Sequence, residues 1–175
     1  MKLKGKKIAI LLDDLFHDLE GYYPYLRFLE EGADVLLVGR TGTGPTYKGK
    51  YGLSITVHTT ADKVKDREFD AIFIPGGWAP DKMRLDPNML AIARKAMLEN
   101  RLVMVICHGG WVLASAEVLQ GRRMTCYEAI IDDIRHAGAE FEDAELVEDG
   151  NLLSSRKPMD LPALLRRGVE KLANA

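Results

Sequence analysis

The sequence has few of the features that mark secreted, membrane-bound or nucleic-acid-binding proteins. Two cysteines among 175 residues are too few for a disulfide framework, and neither has the spacing of a metal ligand. The first apolar run, Ile8 to Leu12, is too short for a signal-peptide core or a membrane span. A formal net charge of −2 favours neither nucleic acid nor an anionic membrane as a partner. We therefore expect a cytoplasmic protein whose thiols stay reduced.

The apolar residues that are present alternate between strand and helix patterns. Four apolar runs predict strands that are buried on both faces, as in a parallel sheet; they are Lys7–Asp13, Ala33–Val38, Asp70–Ile74 and Leu102–Ile106. Helical patterns separate these runs, and a hairpin is predicted around Glu148–Asn151. The alternation predicts one α/β domain over residues 1–175 with a mostly parallel sheet.

The first predicted helix and the connection after the second strand carry two further expectations. The helix spans Asp18–Glu31, and Pro24 inside it predicts a kink or a late start. Five apolar side chains have the spacing to share one face of this helix: Leu19, Tyr22, Tyr23, Leu26 and Leu29. Residues 39–52 hold five glycines and one proline, which predicts a loop.

The strand Leu102–Ile106 ends on Cys107, and His108 and two glycines follow before a helical pattern opens at Trp111. A residue between a strand and a helix must turn sharply, and serine hydrolases present their nucleophile on such an elbow. Here the side chain is a thiol at the positive end of a helix, where the thiolate is favoured. A reactive cysteine is one interpretation, and a buried cysteine that packs as a small apolar residue is the other.

Three loops are expected to meet at the carboxyl ends of the predicted strands, where open parallel sheets bind ligands. They are the loop after the first strand, the loop that contains Gly76 and Gly77, and the elbow. The N–H groups of Gly77 and His108 are candidates for an oxyanion hole. Gly76 and Gly109 have no side chain to block close approach to the backbone. A plain turn is the alternative for the Gly-Gly loop.

Five side chains are candidates to act with or around the thiol. Glu20, if protonated, can donate a hydrogen bond to the thiolate, whereas its ionised form repels it; a carboxylate that only complements the helix dipole is the alternative. His108 is the candidate base and Asp81 the candidate acid that orients it, and a solvated His108 is the alternative. His17 and Trp78 belong to the same loops, where a solvated histidine and ordinary aromatic packing are the alternatives.

These residues resemble those of the PfpI/ThiJ family, the superfamily that also holds the Parkinson-disease-associated protein deglycase and the class I glutamine amidotransferase domains. The resemblance extends over essentially the whole chain. It rests on several short segments taken together: Asp18-Leu19-Glu20 before Tyr23-Pro24, Phe69-Asp70-Ala71 before Pro75-Gly76-Gly77-Trp78-Ala79-Pro80, Ile106-Cys107-His108-Gly109, Gly121 to Tyr127, Asp149-Gly150-Asn151, and Ser154-Ser155-Arg156 with Pro158 and Asp160-Leu161.

The resemblance implies a flavodoxin-like three-layer α/β sandwich with a nucleophile elbow. It implies Cys107 as the nucleophile, Glu20 as its buried hydrogen-bonding carboxyl and His108 as the base. The acid partner of the histidine is implied to come from a neighbouring subunit, at the position of Asp81, in a homodimer that can associate into hexamers. Arg156 is implied to close the dimer or the pocket. Neither a metal nor an organic cofactor is implied.

Three positions depart from the family pattern. Asp81 stands where glutamate is common, Gly110 where proline is common and His17 where relatives often carry an acidic residue. The shorter Asp81 changes the reach of the triad, and His17 adds a group that titrates near neutral pH.

The expected function is that of a cysteine-dependent hydrolase of the PfpI type, similar to an intracellular peptidase. One alternative is a glyoxalase or deglycase activity on α-oxoaldehydes or their adducts. The expected substrate is a peptide for the hydrolase and a small carbonyl compound for this alternative. The other alternative is a non-catalytic stress protein, a redox sensor or chaperone, whose thiol is oxidised. A glutaminase is disfavoured because His136, the one histidine after the elbow, is followed by Ala137-Gly138 instead of the His-x-Glu of the amidotransferases.

Overall fold

The computed structural model describes residues 1–175 and has a central sheet covered by helices on both faces. Its strands are β1 (Lys7–Leu12), β2 (Asp34–Gly39), β3 (Thr46–Lys48), β4 (Ser54–Thr56), β5 (Thr59–Thr60), β6 (Ala71–Ile74), β7 (Leu102–Ile106), β8 (Arg123–Met124), β9 (Glu140–Phe141), β10 (Val147–Asp149) and β11 (Leu152–Ser155). Its helices are α1 (Asp18–Glu30), α2 (Ala61–Val64), α3 (Ala79–Met83), α4 (Pro87–Leu98), α5 (Gly110–Ser115), α6 (Ile131–His136) and α7 (Leu161–Ala173). Short 3₁₀ turns span Cys107–Gly109, Glu128–Ile130 and Pro158–Asp160.

Seven strands form the central sheet in the order β10-β11-β7-β6-β1-β2-β5. Only β10 runs antiparallel to its neighbour, and every other pair is parallel. Helices α1 and α7 contact each other on one face, whereas α4 contacts α2 and α5 on the other. This arrangement confirms the flavodoxin-like three-layer sandwich with a mostly parallel sheet that the sequence predicts.

The order of the strands reverses around β1, because β2 lies on one side of it and β6 on the other. Such a switch point leaves a crevice beyond the carboxyl ends of the strands. The four predicted core strands β1, β2, β6 and β7 are all present, and β6 and β7 are buried along their whole length. The buried apolar side chains form one contiguous cluster of 51 residues, which holds the loops at the crevice against a rigid base.

Helix α1 turns its most apolar side to solvent, which the sequence pattern did not indicate. Four of the five apolar residues expected to share a face are 39–58% exposed: Leu19, Tyr23, Leu26 and Leu29. The buried side of α1 carries Glu20, Gly21, Pro24 and Phe28 instead. Pro24 lies inside the helix, and the expected late start is wrong because α1 begins at Asp18.

Short elements lie in and after the glycine-rich stretch, where a loop was expected, and directly after the Gly-Gly loop. A two-stranded ribbon, β3 with β4, begins inside the glycine-rich stretch 39–52 and buries Tyr47 and Ile55. Helix α3 follows the Gly-Gly loop directly. Elements of three to five residues produce too few periodic positions to stand out in a sequence.

The hairpin predicted near the C-terminal end is confirmed, with a shifted turn. Asp149 pairs with Leu152 in the ladder, so the loop residues are Gly150 and Asn151 rather than Asp149 and Gly150. None of the seven helices combines the length and the apolar character that a membrane crossing requires.

Candidate active site

The loop after β1 and the loop after β6 are joined by backbone hydrogen bonds at the switch point. The His17 N–H donates to the Gly76 carbonyl at 3.1 Å, and the Trp78 N–H donates to the Leu15 carbonyl at 2.8 Å. Phe16, which is fully buried, forms the bridge to Gly77 between these bonds. The two loops therefore form one rigid wall beside the end of β7.

Cys107 lies at the first residue after β7 in the left-handed region, with φ of 60°. A non-glycine residue rarely adopts this conformation, and such strain concentrates at functional sites. Gly109 makes the elbow possible, because a Cβ atom there would lie 2.6 Å from the Ile74 carbonyl oxygen. The sharp turn predicted at Cys107 is thus present in the backbone.

Gly76 and Gly77 bring the second loop against the thiol. A Cβ atom on Gly76 would lie 2.7 Å from Cβ of Cys107, and one on Gly77 would lie 2.4 Å from the His17 nitrogen. The backbone N–H groups of Gly77 and His108 both oppose the rise that burial causes in the pKa of the Cys107 thiol. These are the two donors that the sequence indicates for an oxyanion hole.

Glu20 is fully buried beneath the thiol. Its Oε2 accepts a 2.6 Å hydrogen bond from the Gly76 N–H, and its Oε1 is buried without a conventional partner. The other hydrogen-bonding neighbour of the carboxyl is Cys107. Burial raises the pKa of Glu20 to about 7, because a charge is costly away from water. The carboxyl is therefore poised to hold or release a proton near neutral pH.

The elbow position suggests a lowered pKa for the Cys107 thiol, but the pKa is raised. Burial raises its pKa to about 12, and the negative charge of Glu20 adds to the rise, although the two N–H donors oppose it. The desolvation of the sulfur outweighs the positive end of the short helix that follows. In the resting site the cysteine is a thiol that needs a base to remove its proton.

His108 contacts the thiol directly. Its Nδ1 lies 3.3 Å from Sγ of Cys107, and burial lowers its pKa, which keeps the imidazole neutral and able to accept a proton. The ring stacks on Tyr127 at 4.9 Å between centroids and meets the edge of Trp111 at 5.2 Å. These two aromatic rings hold the imidazole beside the sulfur.

A cavity of about 290 Å³ opens above the thiol. It is lined by Cys107, His108, Gly77, His17, Trp78, Lys50, Tyr51, Tyr127 and Pro158. The structure thus brings Cys107, His108, His17 and the Gly-Gly loop together, with Trp78 as a wall. Across the chain, no group of three or more His, Cys, Asp or Glu side chains is arranged to hold a metal ion.

His17 contributes a ring edge to this cavity. Its ring packs against Tyr51 with 5.2 Å between centroids, and its Nδ1 is buried without a hydrogen-bond partner. Burial lowers its pKa, so the ring is neutral at pH 7.

Four residues that line the cavity were not identified as site residues from the sequence: Lys50, Tyr51, Tyr127 and Pro158. Lys50 and Tyr51 lie in the glycine-rich stretch that only predicted a loop, and Tyr127 and Pro158 contributed to the family resemblance without a predicted role. Their place becomes visible when the chain folds, since Lys50 donates its N–H to the Phe16 carbonyl and Tyr127 donates its N–H to the Cys107 carbonyl. A glycine-flanked pair of a cation and an aromatic residue was the one local signal.

Asp81 and Arg156, which the sequence predicts at the site, do not line this cavity. Asp81 is exposed and lines a neighbouring cavity of about 470 Å³ together with His108, but it makes no hydrogen bond with the imidazole within the chain. Arg156 pairs with Asp160 and Asp143, each at 2.9 Å, and lines a different cavity beside Cys126. The roles expected for Asp81 and Arg156 between subunits stay predictions.

A buried carboxyl, a strained cysteine on a strand-to-helix elbow and a doubly wound parallel sheet define the class of cysteine-elbow α/β proteins. Within that class, residues 6–171 match the DJ-1/PfpI family, and the chain belongs to this family.

Individual relatives cover nearly the full chain. Deglycase PH1704 of Pyrococcus horikoshii is 46% identical over 166 residues, which are 95% of this chain and 99% of the relative. Putative cysteine protease YraA of Bacillus subtilis is 38% identical over 169 residues, 96% and 99% of the two chains. Among solved structures, the two-domain protein of Anabaena variabilis with DJ-1/ThiJ/PfpI-like and ferritin-like domains superposes with a TM-score of 0.92 at 39% identity. That match covers 95% of this chain and 48% of the other.

Proposed function

We propose that the protein is a cysteine-dependent enzyme of the deglycase or glyoxalase type, which acts on α-oxoaldehydes or their adducts. The observation that carries the proposal is the 3.3 Å contact between Sγ of Cys107 and Nδ1 of His108 at the floor of a cavity of about 290 Å³. A nucleophile beside a neutral base is the arrangement that addition to a carbonyl carbon requires.

The first step is removal of the thiol proton. His108 accepts it at Nδ1, and the sulfur then attacks the aldehyde carbon to form a carbon–sulfur bond. The carbonyl π electrons move to the oxygen, which the Gly77 and His108 N–H groups stabilise as it becomes negative. The proton on His108 returns to that oxygen, and the product of this step is a neutral hemithioacetal.

Glu20 acts on the thiolate from the buried side. With a pKa raised to about 7, a large share of this carboxyl is protonated at neutral pH. The protonated form donates a hydrogen bond to the sulfur and so favours the thiolate, while the ionised form repels it. Glu20 thus couples the reactivity of Cys107 to pH.

The size of the cavity supports a small carbonyl substrate better than the peptide that the sequence analysis favoured. About 290 Å³ is at the lower limit for small-molecule sites, and five aromatic or histidine rings line its walls. The name of the 46% identical relative, a deglycase, supports the same choice, whereas the name of the 38% identical relative supports a peptidase.

We further propose that the chain acts as a homo-oligomer. The nitrogen of His108 that points away from the sulfur finds no acid within the chain, and Asp81 lies exposed in the adjoining cavity. The apolar side chains on the outer side of α1 also form a solvent-facing stripe of the kind that subunit interfaces cover.

Turnover of methylglyoxal by the purified protein is the decisive experiment. We expect wild-type protein to consume methylglyoxal and Cys107→Ser to lose activity by at least about a hundredfold. Cys126→Ser is the matched control, because Cys126 is also buried but lines another cavity. This control is expected to keep wild-type activity.

Three outcomes would contradict the proposal. Equal activity in Cys107→Ser would remove the catalytic role of the thiol. Cleavage of a peptide reporter without consumption of methylglyoxal would favour the peptidase. Absence of both activities, combined with ready oxidation of Cys107 to the sulfinate, would favour the redox sensor.

A further inference from the structure

The mouth of the Cys107 cavity carries one cationic side chain. Among the lining residues, Lys50 is a cation and none is a carboxylate. Lys50 forms no ion pair in the chain, although fourteen other pairs are present. An unpaired cation together with two inward N–H donors gives this cavity a positive potential.

Two aromatic rings contact the ammonium group of Lys50. Its Nζ lies 5.4 Å from the centroid of the Tyr51 ring and 5.2 Å from that of Trp78, within the range of cation–π attraction. Both rings line the same cavity as the thiol. The aromatic contacts restrain the lysine toward the cavity, where an unrestrained surface lysine would extend into solvent.

The backbone that carries Lys50 is anchored as well. The Lys50 N–H donates to the Phe16 carbonyl at 2.8 Å. On the far side of the lysine, the buried Asp18 carboxylate accepts the N–H groups of Tyr51 and Leu53, each at 2.8 Å. Gly49 lies against the same carboxylate, since a Cβ there would be 2.5 Å from its carbon. The position of this cation is therefore built into the fold.

The field of Lys50 extends to the reacting groups. Its charge adds to the burial that lowers the pKa of His17 and of His108, and it opposes the burial that raises the pKa of Glu20. The other charged residue that acts on this group of side chains is Asp18, beside His17, and its carboxylate is occupied by backbone donors. An anion that enters the cavity thus meets an available cation close to the thiol.

We propose that Lys50 determines substrate specificity, so that the cavity prefers carbonyl compounds with a carboxylate next to the reacting carbon over neutral ones. This inference rests on the proposed function. In the complex, Cys107 forms its bond to the aldehyde carbon and the carbonyl oxygen takes the proton from the thiol, as for a neutral substrate. The carboxylate stays unchanged and faces the ammonium group of Lys50.

Alkylation of Cys107 tests the recognition of the anion without any turnover. The probes are iodoacetate and iodoacetamide, which react with the same thiol but differ in charge. We expect Lys50→Met to lower the ratio of the iodoacetate rate to the iodoacetamide rate by about three- to tenfold at low salt. Lys50→Glu should lower the ratio further, and Lys50→Arg should keep it near wild type.

Lys48→Met is the matched control. Lys48 is an exposed lysine two residues away that does not line the cavity, so the ratio should stay at the wild-type value. Peptide mass mapping assigns the label to Cys107 rather than Cys126. In 0.5 M salt the Debye length is about 4 Å, and this screening should shrink the difference between Lys50→Met and wild type.

A second arm uses the substrate class itself. Glyoxylate and glyoxal both add reversibly to a thiol, and each should protect Cys107 against iodoacetamide. The concentration of glyoxylate for half protection should rise about three- to tenfold in Lys50→Met, while that of glyoxal stays unchanged.

Two results would overturn the role of Lys50. A rate ratio in Lys50→Met within twofold of wild type would show that the lysine does not attract the anion. Equal slowing of both probes would mean that Lys50 activates the thiol without selecting the substrate. Since alkylation requires no catalysis, failure of the deglycase proposal would appear separately, as absent turnover with a normal shift of the ratio.

Discussion

The two ends of the central sheet both carry a cavity, but different side chains line them. At the amino ends of the strands, a cavity of about 370 Å³ is lined by charged groups, among them Lys6, Asp70 and Arg101. Several of its polar groups have partners: Lys171 pairs with Glu148 at 2.6 Å, and Asp70 accepts the Lys7 N–H at 2.7 Å. At the carboxyl ends, the smaller cavity of about 290 Å³ contains the strained cysteine.

The two ends differ in their buried, unpaired groups more than in the volume of their cavities. At the carboxyl ends Glu20 is fully buried with one oxygen free, and Nδ1 of His17 is also free. Perturbed ionisable groups and backbone strain cluster where a protein does chemistry. The amino-end cavity has solvated ion pairs that stabilise little. Four predictions, from the largest effect to the smallest, test this contrast.

A glycine substitution at each end should give the largest contrast. Gly76→Ala places a Cβ 2.7 Å from Cys107 and 2.8 Å from Glu20 Oε2, so we expect activity to fall by about a hundredfold and the free energy of unfolding by about 1–3 kcal/mol. Gly150→Ala at the amino end meets nothing closer than 3.6 Å. It should cost about 1 kcal/mol through its positive φ and leave turnover intact. Equal loss of turnover in both variants would abolish the contrast.

The buried carboxyl should make stability depend on pH. The folded-state pKa of Glu20, about 7, lies above its ordinary value of 4.5. The unfolded chain therefore loses this proton first, and the free energy of unfolding falls by about 3 kcal/mol between pH 4.5 and 7 on account of this group. Below pH 4.5 the contribution is constant. The free energy of unfolding can be measured in urea at pH 5 and at pH 8. The difference between these two values should be about 3 kcal/mol smaller in Glu20→Gln than in wild type. The same pH dependence in both proteins would argue against a buried, titrating Glu20.

Tyr127 should act as a positioning residue for His108, on which its ring stacks at 4.9 Å. Loss of the ring in Tyr127→Leu frees the imidazole, and we expect kcat to fall by about tenfold. Tyr127→Phe keeps the stacked ring and should retain kcat within about twofold. If Tyr127→Phe loses as much kcat as Tyr127→Leu, the hydroxyl group rather than the stacked ring is responsible, and the proposed role is wrong.

The amino-end ion pairs should give the smallest effect. Hydrogen bonds from Arg167 and Lys171 lower the pKa of Glu148 to about 2, and the stabilisation they add is lost only as the pH falls below the ordinary value near 4.5. Because these side chains are partly exposed, solvent screens the pair, and Lys171→Met should cost at most about 1 kcal/mol at pH 7. Thermal unfolding measures the cost. Activity should be unchanged in this variant. A loss of turnover would mean that the ion pairs at the amino ends of the strands affect the site at the carboxyl ends.

Much of the fold could be predicted because it depends on short-range patterns. Apolar runs such as Leu102–Ile106 indicate buried strands without reference to the rest of the chain. The elbow at Cys107 is predicted by the local order of strand, turn and helix. The same order predicts that Gly77 approaches the thiol. The outward face of α1 could not be predicted in this way. Spacing groups Leu19 with Leu26, but only the packed structure decides whether that side faces the sheet or the solvent.

The candidate site divides along the same line. His108 is found beside Cys107 in the sequence, whereas Lys50 and Tyr127 reach the thiol through contacts between distant segments. The pKa of the thiol could not be predicted from its neighbours in the sequence either. Its place before a helix suggests a lowered pKa, but burial and the Glu20 carboxyl raise it to about 12.

The sequence by itself determined the parallel α/β architecture, the cysteine elbow and the loops that surround it, because strand patterns and turn residues act over a few neighbouring positions. Only the tertiary structure decided the protonation of the site, the cation at its mouth and the separation of Asp81 from His108 within the chain. Desolvation and electrostatic fields depend on every group that packs around a site, and those groups come from segments that lie far apart along the chain.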